Sequence, residues 1–191
     1  MRQRCGQALV AFALVVLHGL LAGQAVAQPA STGFSLKHEV VIHAPPSEVY
    51  GSLTRQVDGW WNPQHTYSGD SKNLSIDARP GGCFCEALPS GGGVEHLRVV
   101  HVVPDEMLRL SGGLGPLQAS GVAGSLSWTL TDSGAGSTAV EVAYVVGGFF
   151  EGGFERLAPA VSAVIAEQLQ RLKTFVETGE PTEEAGPAPG A

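Results

Sequence analysis

The chain has 191 residues and a formal net charge of −7, from 11 Lys and Arg against 18 Asp and Glu. This length fits one domain, and so acidic a chain lacks the clustered positive charge that binds phosphates, so we expect no nucleic-acid partner. Hydrophobic residues make up 43% and charged residues 15%, which excludes a disordered chain, and three cysteines are too few for a disulfide scaffold.

Residues 1–27 have the pattern of a cleavable secretory signal. Two arginines precede an almost entirely apolar run over 8–22, and small residues occupy 25–27. The run is shorter than the ~20 residues that span a bilayer, so we expect cleavage after Ala27 and no stable membrane anchor afterwards. The mature protein is then predicted to be periplasmic or secreted. Because ATP and NAD are not readily supplied there, we predict no cofactor.

The mature chain begins with a short linker at 28–33 and one predicted strand. Residues 34–43 alternate between apolar and polar side chains, which is typical of a strand. Ala44-Pro45-Pro46 ends it, and either Ser47 or the prolines begin a short helix. Its apolar face would contain Val49, Tyr50 and Leu53.

Short strands separated by turn residues follow. They are predicted at 73–78, 83–88, 94–103, 107–110, 122–131 and 138–146. Because these strands follow one another in sequence, we expect an antiparallel sheet.

The period then changes to that of a helix. An apolar stripe predicts one long amphipathic helix with Pro159 in its first turn and Gly179 at its end, and consists of Leu157, Val161, Ile165, Leu169, Leu172 and Val176. This helix is the one element long enough to cover the apolar face of the sheet. Residues 180–191 are acidic and rich in Pro, Ala and Gly, so we expect a disordered tail.

Several of these segments together resemble the START-like, or SRPBCC, superfamily over residues 34–179. They are the opening strand into Ala44-Pro45-Pro46-Ser47-Glu48-Val49-Tyr50, the Trp60-Trp61 pair, the turn and strand at 81–86, the strand at 125–130 and the terminal helix. The chain looks most similar to the polyketide cyclase-like branch and to the branch named after activators of a chaperone ATPase. A secreted protein would not meet that cytosolic chaperone, so the second role is discounted.

The resemblance implies an α+β helix-grip fold. A curved antiparallel sheet of about seven strands would wrap around the long C-terminal helix, with short helices after strand 1. It also implies a cavity between sheet and helix that binds a small hydrophobic molecule, which is our leading hypothesis. The residues predicted to line it are Trp60, Trp61, His65, Cys83, Cys85, Trp128, Tyr144, Phe149 and Phe150.

Several of these residues also have ordinary structural explanations. The two tryptophans would form either an aromatic lid or core packing, and His65 either binds ligand or is a surface histidine. The glycine-rich segment at 147–153 is a candidate mobile gate. No metal site is assigned, and the oligomeric state is left open.

A second hypothesis is a cyclase- or hydratase-like enzyme. It needs one polar group inside the cavity, and the candidates are His38, His65, Glu86 and Tyr144. The sequence has no GxSxG motif and no phosphate-binding glycine loop. Glu86, His96 and Arg98 would meet across a hairpin, but a solvated outer face is the favoured interpretation.

Cys83 and Cys85 lie two residues apart on one predicted strand, and three interpretations remain open. Buried free thiols are favoured, because a regular strand holds the two Cα atoms near the ~6.8 Å limit for a disulfide. A labile disulfide is the second. A metal site is the third and would need another ligand, such as His65 or His96.

Overall fold

The computed structural model describes residues 32–181. The predicted signal, most of the linker and the end of the predicted tail therefore lie outside the described residues. The strands are β1 (Gly33–Ile42), β2 (Leu74–Ile76), β3 (Cys83–Ala87), β4 (Gly93–Val103), β5 (Met107–Ser111), β6 (Gly121–Gly134) and β7 (Ser137–Phe149). The helices are α1 (Pro46–Arg55), α2 (Val57–Trp60) and α3 (Leu157–Thr178), with short 3-10 turns at Pro63–His65, Ser71–Asn73 and Gly115–Ala119.

The seven strands form one antiparallel sheet in the order β1-β7-β6-β5-β4-β3-β2. Neighbours along the chain are neighbours in the sheet from β2 to β7, and β1 closes the β7 edge. Helix α3 packs on β1 and on the short helices α1 and α2. The predicted α+β helix-grip fold is confirmed.

Helix α3 follows directly from the spacing of its apolar residues. Ile165, Leu169 and Leu172 are fully buried on one face. The helix ends at Gly179, whose φ of 84° favours a residue without a Cβ atom. Of the two predicted starts of helix α1, the proline start is the one observed. Pro45 is the N-cap, and the Ser47 side chain makes no capping hydrogen bond.

The centre of the molecule is filled by aromatic side chains. Trp60 and Trp128 are buried with ring centroids 6.1 Å apart, and Trp61 packs on Phe84 at 5.1 Å. A mostly apolar cavity lies toward the end where α3 begins, and a more polar one lies between α1 and the end of α3. None of the helices within residues 32–181 is long and apolar enough to cross a membrane.

A bulge changes the pairing of β3 with β4. Phe84 pairs with Leu97, but Cys85 pairs with Glu95, so His96 is an additional residue on β4. A bulge of this kind places two neighbouring residues against one partner and bends the strand. His96 and Leu97 are consequently both buried.

Cys83 and Cys85 form a disulfide, with Cα atoms 5.4 Å apart. The favoured interpretation of free thiols is therefore wrong. It assumed a regular strand, in which two residues span roughly 6.6 Å. The contraction lies opposite the extra residue of β4, so the two strands are irregular at the same place.

Candidate functional site

A half-open cavity of about 290 Å³ lies between the first half of α3 and two loops. The loops are 61–67, which follows α2, and 114–117, which joins β5 to β6. Most of the wall is apolar, and its apolar side chains are Trp61, Leu114, Pro116, Leu117, Leu157, Ala160, Val161, Val164 and Ile165. Such a wall favours a ligand with a large apolar surface.

One buried acid–base pair lies at this cavity. The ring of His96 forms part of the wall, and its Nε2 lies 2.9 Å from Oε2 of Glu86. The two residues are only 4% and 2% exposed. The favoured interpretation of Glu86 and His96 as a solvated outer face is therefore wrong. Glu86 pairs with Val94, and His96 lies two residues further along β4, so Glu86 and His96 share the buried face of the sheet. Arg98 does not join them and pairs with exposed Glu95.

Glu86 is held as a carboxylate. Burial raises the pKa of its carboxyl, but hydrogen bonds from Ser68, from the Tyr67 and Ser68 amides and from His96 outweigh burial and lower the pKa. The Tyr67 amide donates to Oε2 at 3.0 Å. An ionised carboxylate has no proton and can only accept, so the proton of the Glu86–His96 hydrogen bond is on Nε2 of His96.

His96 is consequently a neutral imidazole with one free acceptor. Burial lowers the pKa of His96 more than the neighbouring Glu86 raises it. With the proton on Nε2, the Nδ1 atom carries a lone pair. This buried Nδ1 has no hydrogen-bond partner within the described residues.

The mouth of the cavity has a second histidine–carboxylate pair. Nε2 of His65 lies 3.1 Å from Oε2 of Glu167 on α3, and this pair is partly exposed. Glu167 also accepts a hydrogen bond from the Asn62 side chain. Nε1 of Trp61 donates to the His65 carbonyl at 3.1 Å. These bonds fix the indole of Trp61 against the cavity.

Two buried polar residues of α3 form hydrogen bonds with the backbone at residues 60–62. The Asn62 amide donates to Oε1 of Gln168 at 2.9 Å, and Nε of Arg171 donates to the Trp60 carbonyl at 2.8 Å. Loop backbone that leaves a helix needs such partners when it is buried. The polar residues of α3 thus position one side of the cavity.

Tyr144 holds the opposite loop. Its hydroxyl donates to the Gly112 carbonyl at 2.9 Å and accepts from the Leu114 amide at 3.0 Å. A Cβ atom on Gly124 would lie 2.6 Å from the Tyr144 ring, so the glycine makes room for it. Both hydrogen-bonding capacities of the hydroxyl are used, and Tyr144 acts here by placing the 114–117 loop.

The structure distributes the predicted site residues over several environments. Trp61 and His65 line the cavity, whereas Trp60 and Trp128 belong to the core. Cys83 and Cys85 are joined to each other and lie outside the cavity wall.

The two phenylalanines of the predicted gate also lie outside this wall. Phe149 is 72% exposed at the end of β7, and Phe150 packs on Phe154. His38 is bonded to Ser162 of α3 at 2.9 Å. No group of three or more His, Cys, Asp or Glu side chains suited to a metal occurs in the described range 32–181.

Sequence reasoning missed the residues that close this cavity. His96 enters the predictions as part of an exposed hairpin and as a possible metal ligand, whereas Leu114 and Leu117 do not enter them. No periodic signal marks a 3-10 turn such as Gly115–Ala119. His96 and Leu97 are neighbours on β4 and are both buried, which strict alternation does not predict.

The curved sheet, the long C-terminal helix and the cavity at its start together define a helix-grip protein with a mostly apolar cavity. Residues 33–177 match the family described as "Polyketide cyclase / dehydrase and lipid transport", and the chain belongs to this family. The suspected START-like, polyketide cyclase-like relationship is thereby confirmed. No match was found among curated proteins.

Solved structures share the fold at low sequence identity. A conserved protein of unknown function from Enterococcus faecalis has 17% identity and a TM-score of 0.59 over 81% of this chain and 78% of its own. DynU16, from the dynemicin biosynthetic locus, has 24% identity and a TM-score of 0.54 over 77% of this chain and 48% of its own. The Aha1 dimer from Colwellia psychrerythraea has 19% identity and a TM-score of 0.53 over 76% and 98%.

Proposed function

We propose that this protein binds one small, largely apolar molecule in the cavity between α3 and the loops at 61–67 and 114–117. The observation that carries the proposal is the cavity itself, with its mostly apolar wall and a single buried acid–base pair. A volume near 290 Å³ is at the low end of the roughly 300–1,000 Å³ of small-molecule sites. The family description, which includes lipid transport, supports binding of an apolar ligand.

We also propose that the protein acts in the periplasm or outside the cell. The basic, apolar and small-residue pattern of 1–27 supports secretion. The Cys83–Cys85 disulfide also supports it, because disulfides persist mainly in oxidising compartments. Sequencing the amino terminus of protein from a periplasmic extract tests this. We expect Gln28 as the first residue, and an intact Met1 in a cytosolic fraction would contradict it.

Filling the cavity tests ligand binding. The probe is 2-methoxynaphthalene, an uncharged bicyclic compound, and its binding is measured by isothermal titration calorimetry. Val161→Trp adds bulk to the wall on α3 and should weaken binding at least tenfold. The matched control is Val145→Trp, because Val145 is 54% exposed on the sheet and does not line the cavity. Its affinity should equal that of the wild type.

Two outcomes contradict the proposed binding function. One is a wild-type protein that does not take up the probe. The other is equal loss of affinity in the two tryptophan variants, which would place the probe elsewhere. Thermal unfolding of both variants shows whether each is folded at the titration temperature.

A cyclase-like enzyme is a second candidate function, favoured by one observation. Such chemistry needs a proton acceptor in a dry cavity, and His96 is neutral, buried and oriented by Glu86. The probe here is 2-tetralone in deuterated water, whose α-protons a general base removes and solvent deuterium replaces. Exchange should be faster with wild type than with His96→Phe. Equal rates would contradict an enzymatic role for His96.

A further inference from the structure

We propose that the Cys83–Cys85 disulfide is a thiol–disulfide exchange site, which accepts two electrons from a dithiol at the outer face of the sheet. The substrate class is a dithiol, either a small molecule or a pair of thiols on a protein. The exchange chemistry does not depend on the proposed binding function, because the disulfide lies outside the cavity wall.

The disulfide lies on the solvent side of β3. Phe84 and Glu86 are buried, and the two cysteines alternate with them, so the cysteine side chains point to the opposite face of the sheet. Both cysteines are partly exposed. Their cross-strand partners are all exposed as well, and these are Ser75, Glu95 and Arg98. A thiol in solution can therefore approach the disulfide from this face.

The disulfide contributes little as a cross-link. Cys85 follows Cys83 by only two positions in the sequence. A cross-link restrains the unfolded chain more when the loop that it closes is longer, so a loop this short is restrained least. Strand β3 is also paired on both sides, with β2 and with β4, through backbone hydrogen bonds that do not involve sulfur. Opening the S–S bond should therefore leave the fold intact and the two thiols close together.

A cation lies beside one of the two cysteines. Arg98 is the cross-strand partner of Cys83, and the Cβ atoms of such partners are about 4.5–5.5 Å apart. Its guanidinium is held at this place, because Nη1 donates to the Gly81 carbonyl at 3.2 Å and Nη2 donates to Glu95 at 2.5 Å. A positive charge near a sulfur stabilises its thiolate. Since Cys85 lies opposite the carboxylate of Glu95, Cys83 is the better leaving group of the pair.

These positions define the exchange reaction. A thiolate of the dithiol attacks Sγ of Cys85, a mixed disulfide forms, and the electron pair of the broken S–S bond passes to Sγ of Cys83. The second thiolate of the substrate then attacks the substrate sulfur of the mixed disulfide and releases the Cys85 thiolate. The dithiol is oxidised to a disulfide, and the protein disulfide is reduced to two thiols. The two protons of the substrate thiols end on the two cysteines.

Reduction of the folded wild-type protein tests the proposal. Dithiothreitol is the small dithiol, and reduced ribonuclease A is the protein dithiol. Free thiols are then alkylated with iodoacetamide, and peptide mass mapping counts the alkyl groups on Cys83 and Cys85. We expect one alkyl group on each cysteine after treatment with dithiothreitol, with an unchanged near-ultraviolet circular dichroism spectrum. Reduction by ribonuclease A as well would assign a site open to protein thiols, and reduction by dithiothreitol alone would assign a small dithiol.

Substitution of Arg98 tests the leaving-group assignment. Arg98→Gln should slow reduction by dithiothreitol about fivefold, as expected for the loss of one exposed charge interaction, and Arg98→Lys should restore most of the rate. Arg109→Gln is the matched control, because Arg109 lies on the same outer face but on β5, two strands from β3. Its rate should equal that of the wild type.

A monothiol shows which sulfur is attacked. Glutathione has no second thiol, so alkylation traps the mixed disulfide, and fragment masses locate it. We expect glutathione on Cys85 and the alkyl group on Cys83 in the wild type, and a loss of this preference in Arg98→Gln. Glutathione found equally on both cysteines of the wild type would overturn the assignment of Cys83 as leaving group. A wild-type disulfide that is reduced only after unfolding in urea would overturn the exchange site itself, and this comparison needs no variant.

Discussion

His96 lines a mostly apolar cavity wall and is hydrogen-bonded to the buried Glu86, and each of the two keeps a fixed charge state for a different reason. Glu86 remains ionised because backbone amides of the 61–67 loop and its neighbour Ser68, together with His96, donate to it. His96 remains neutral because burial disfavours the imidazolium. The remaining acceptor of the pair, Nδ1 of His96, is buried and has no partner within the described residues.

These two charge states predict that acid destabilises the fold in two steps. The pKa of His96 is below its ordinary 6.5, so the unfolded chain binds more protons and stability falls as the pH drops through about 6.5. The pKa of Glu86 is below its ordinary 4.5, so its contribution is present above about 4.5 and is lost below it. Urea unfolding at several pH values should show both losses.

A variant separates the histidine contribution from the general effect of acid. His96→Phe should reduce the loss of unfolding free energy between about pH 7 and pH 5. A wild-type stability that stays constant from pH 7 to pH 5 would contradict a buried neutral His96.

At the scale of the elements, α3 does more than cover the sheet. Its apolar stripe packs on the core, while Gln168 and Arg171 are buried beside that stripe and bond to backbone groups at 60–62. Glu167, one residue earlier, bonds to Asn62 and His65. The same face of α3 therefore packs on the core and holds the 61–67 loop of the cavity in place.

Gln168→Leu should destabilise the protein, because it leaves the buried amide of Asn62 without a partner. The expected loss is about 1–3 kcal/mol of unfolding free energy, measured by urea denaturation. Gln170→Leu is the matched control, since Gln170 is exposed on the same helix. Equal stabilities of the two variants would show that the Gln168–Asn62 bond contributes little.

The β3–β4 hairpin couples the disulfide to the acid–base pair. Cys83 and Cys85 draw β3 together at the place where β4 accommodates His96 as an additional residue. A dithiol reductant would break the S–S bond, leave two thiols and itself become a disulfide. The relaxed β3 should then fit the bulge less well.

We therefore expect reduction to change the environment of His96. The ring-nitrogen resonances of His96 should shift when the dithiol is added to the wild type. Cys83→Ser/Cys85→Ser should show the shifted resonances without any reductant and should not respond to it. Identical His96 resonances in the oxidised and reduced wild type would show that the disulfide and the bulge are independent.

The same hairpin shows where prediction from sequence ends. Helix α3 and its end at Gly179 could be predicted, because a helical stripe and a terminal glycine are local signals. The burial of both His96 and Leu97 could not, because the bulge interrupts the alternation that places neighbouring residues on opposite faces of the sheet. The disulfide was disfavoured for the same reason, since a regular strand was assumed.

At the scale of the whole molecule, the position of the cavity follows from what fills the centre. Trp60 and Trp128 occupy the middle of the sheet–helix interface, and the mostly apolar cavity lies toward the end where α3 begins. There the cavity is enclosed by two loops, one held by α3 and the other by Tyr144. Its shape therefore depends on contacts from both layers of the fold.

A crystal structure of the protein with 2-methoxynaphthalene tests the central claim most directly. We predict density for the probe between α3 and the 61–67 and 114–117 loops, against the apolar wall that includes Val161. Density at another site, or a cavity that remains filled only by water at saturating probe, would contradict the account.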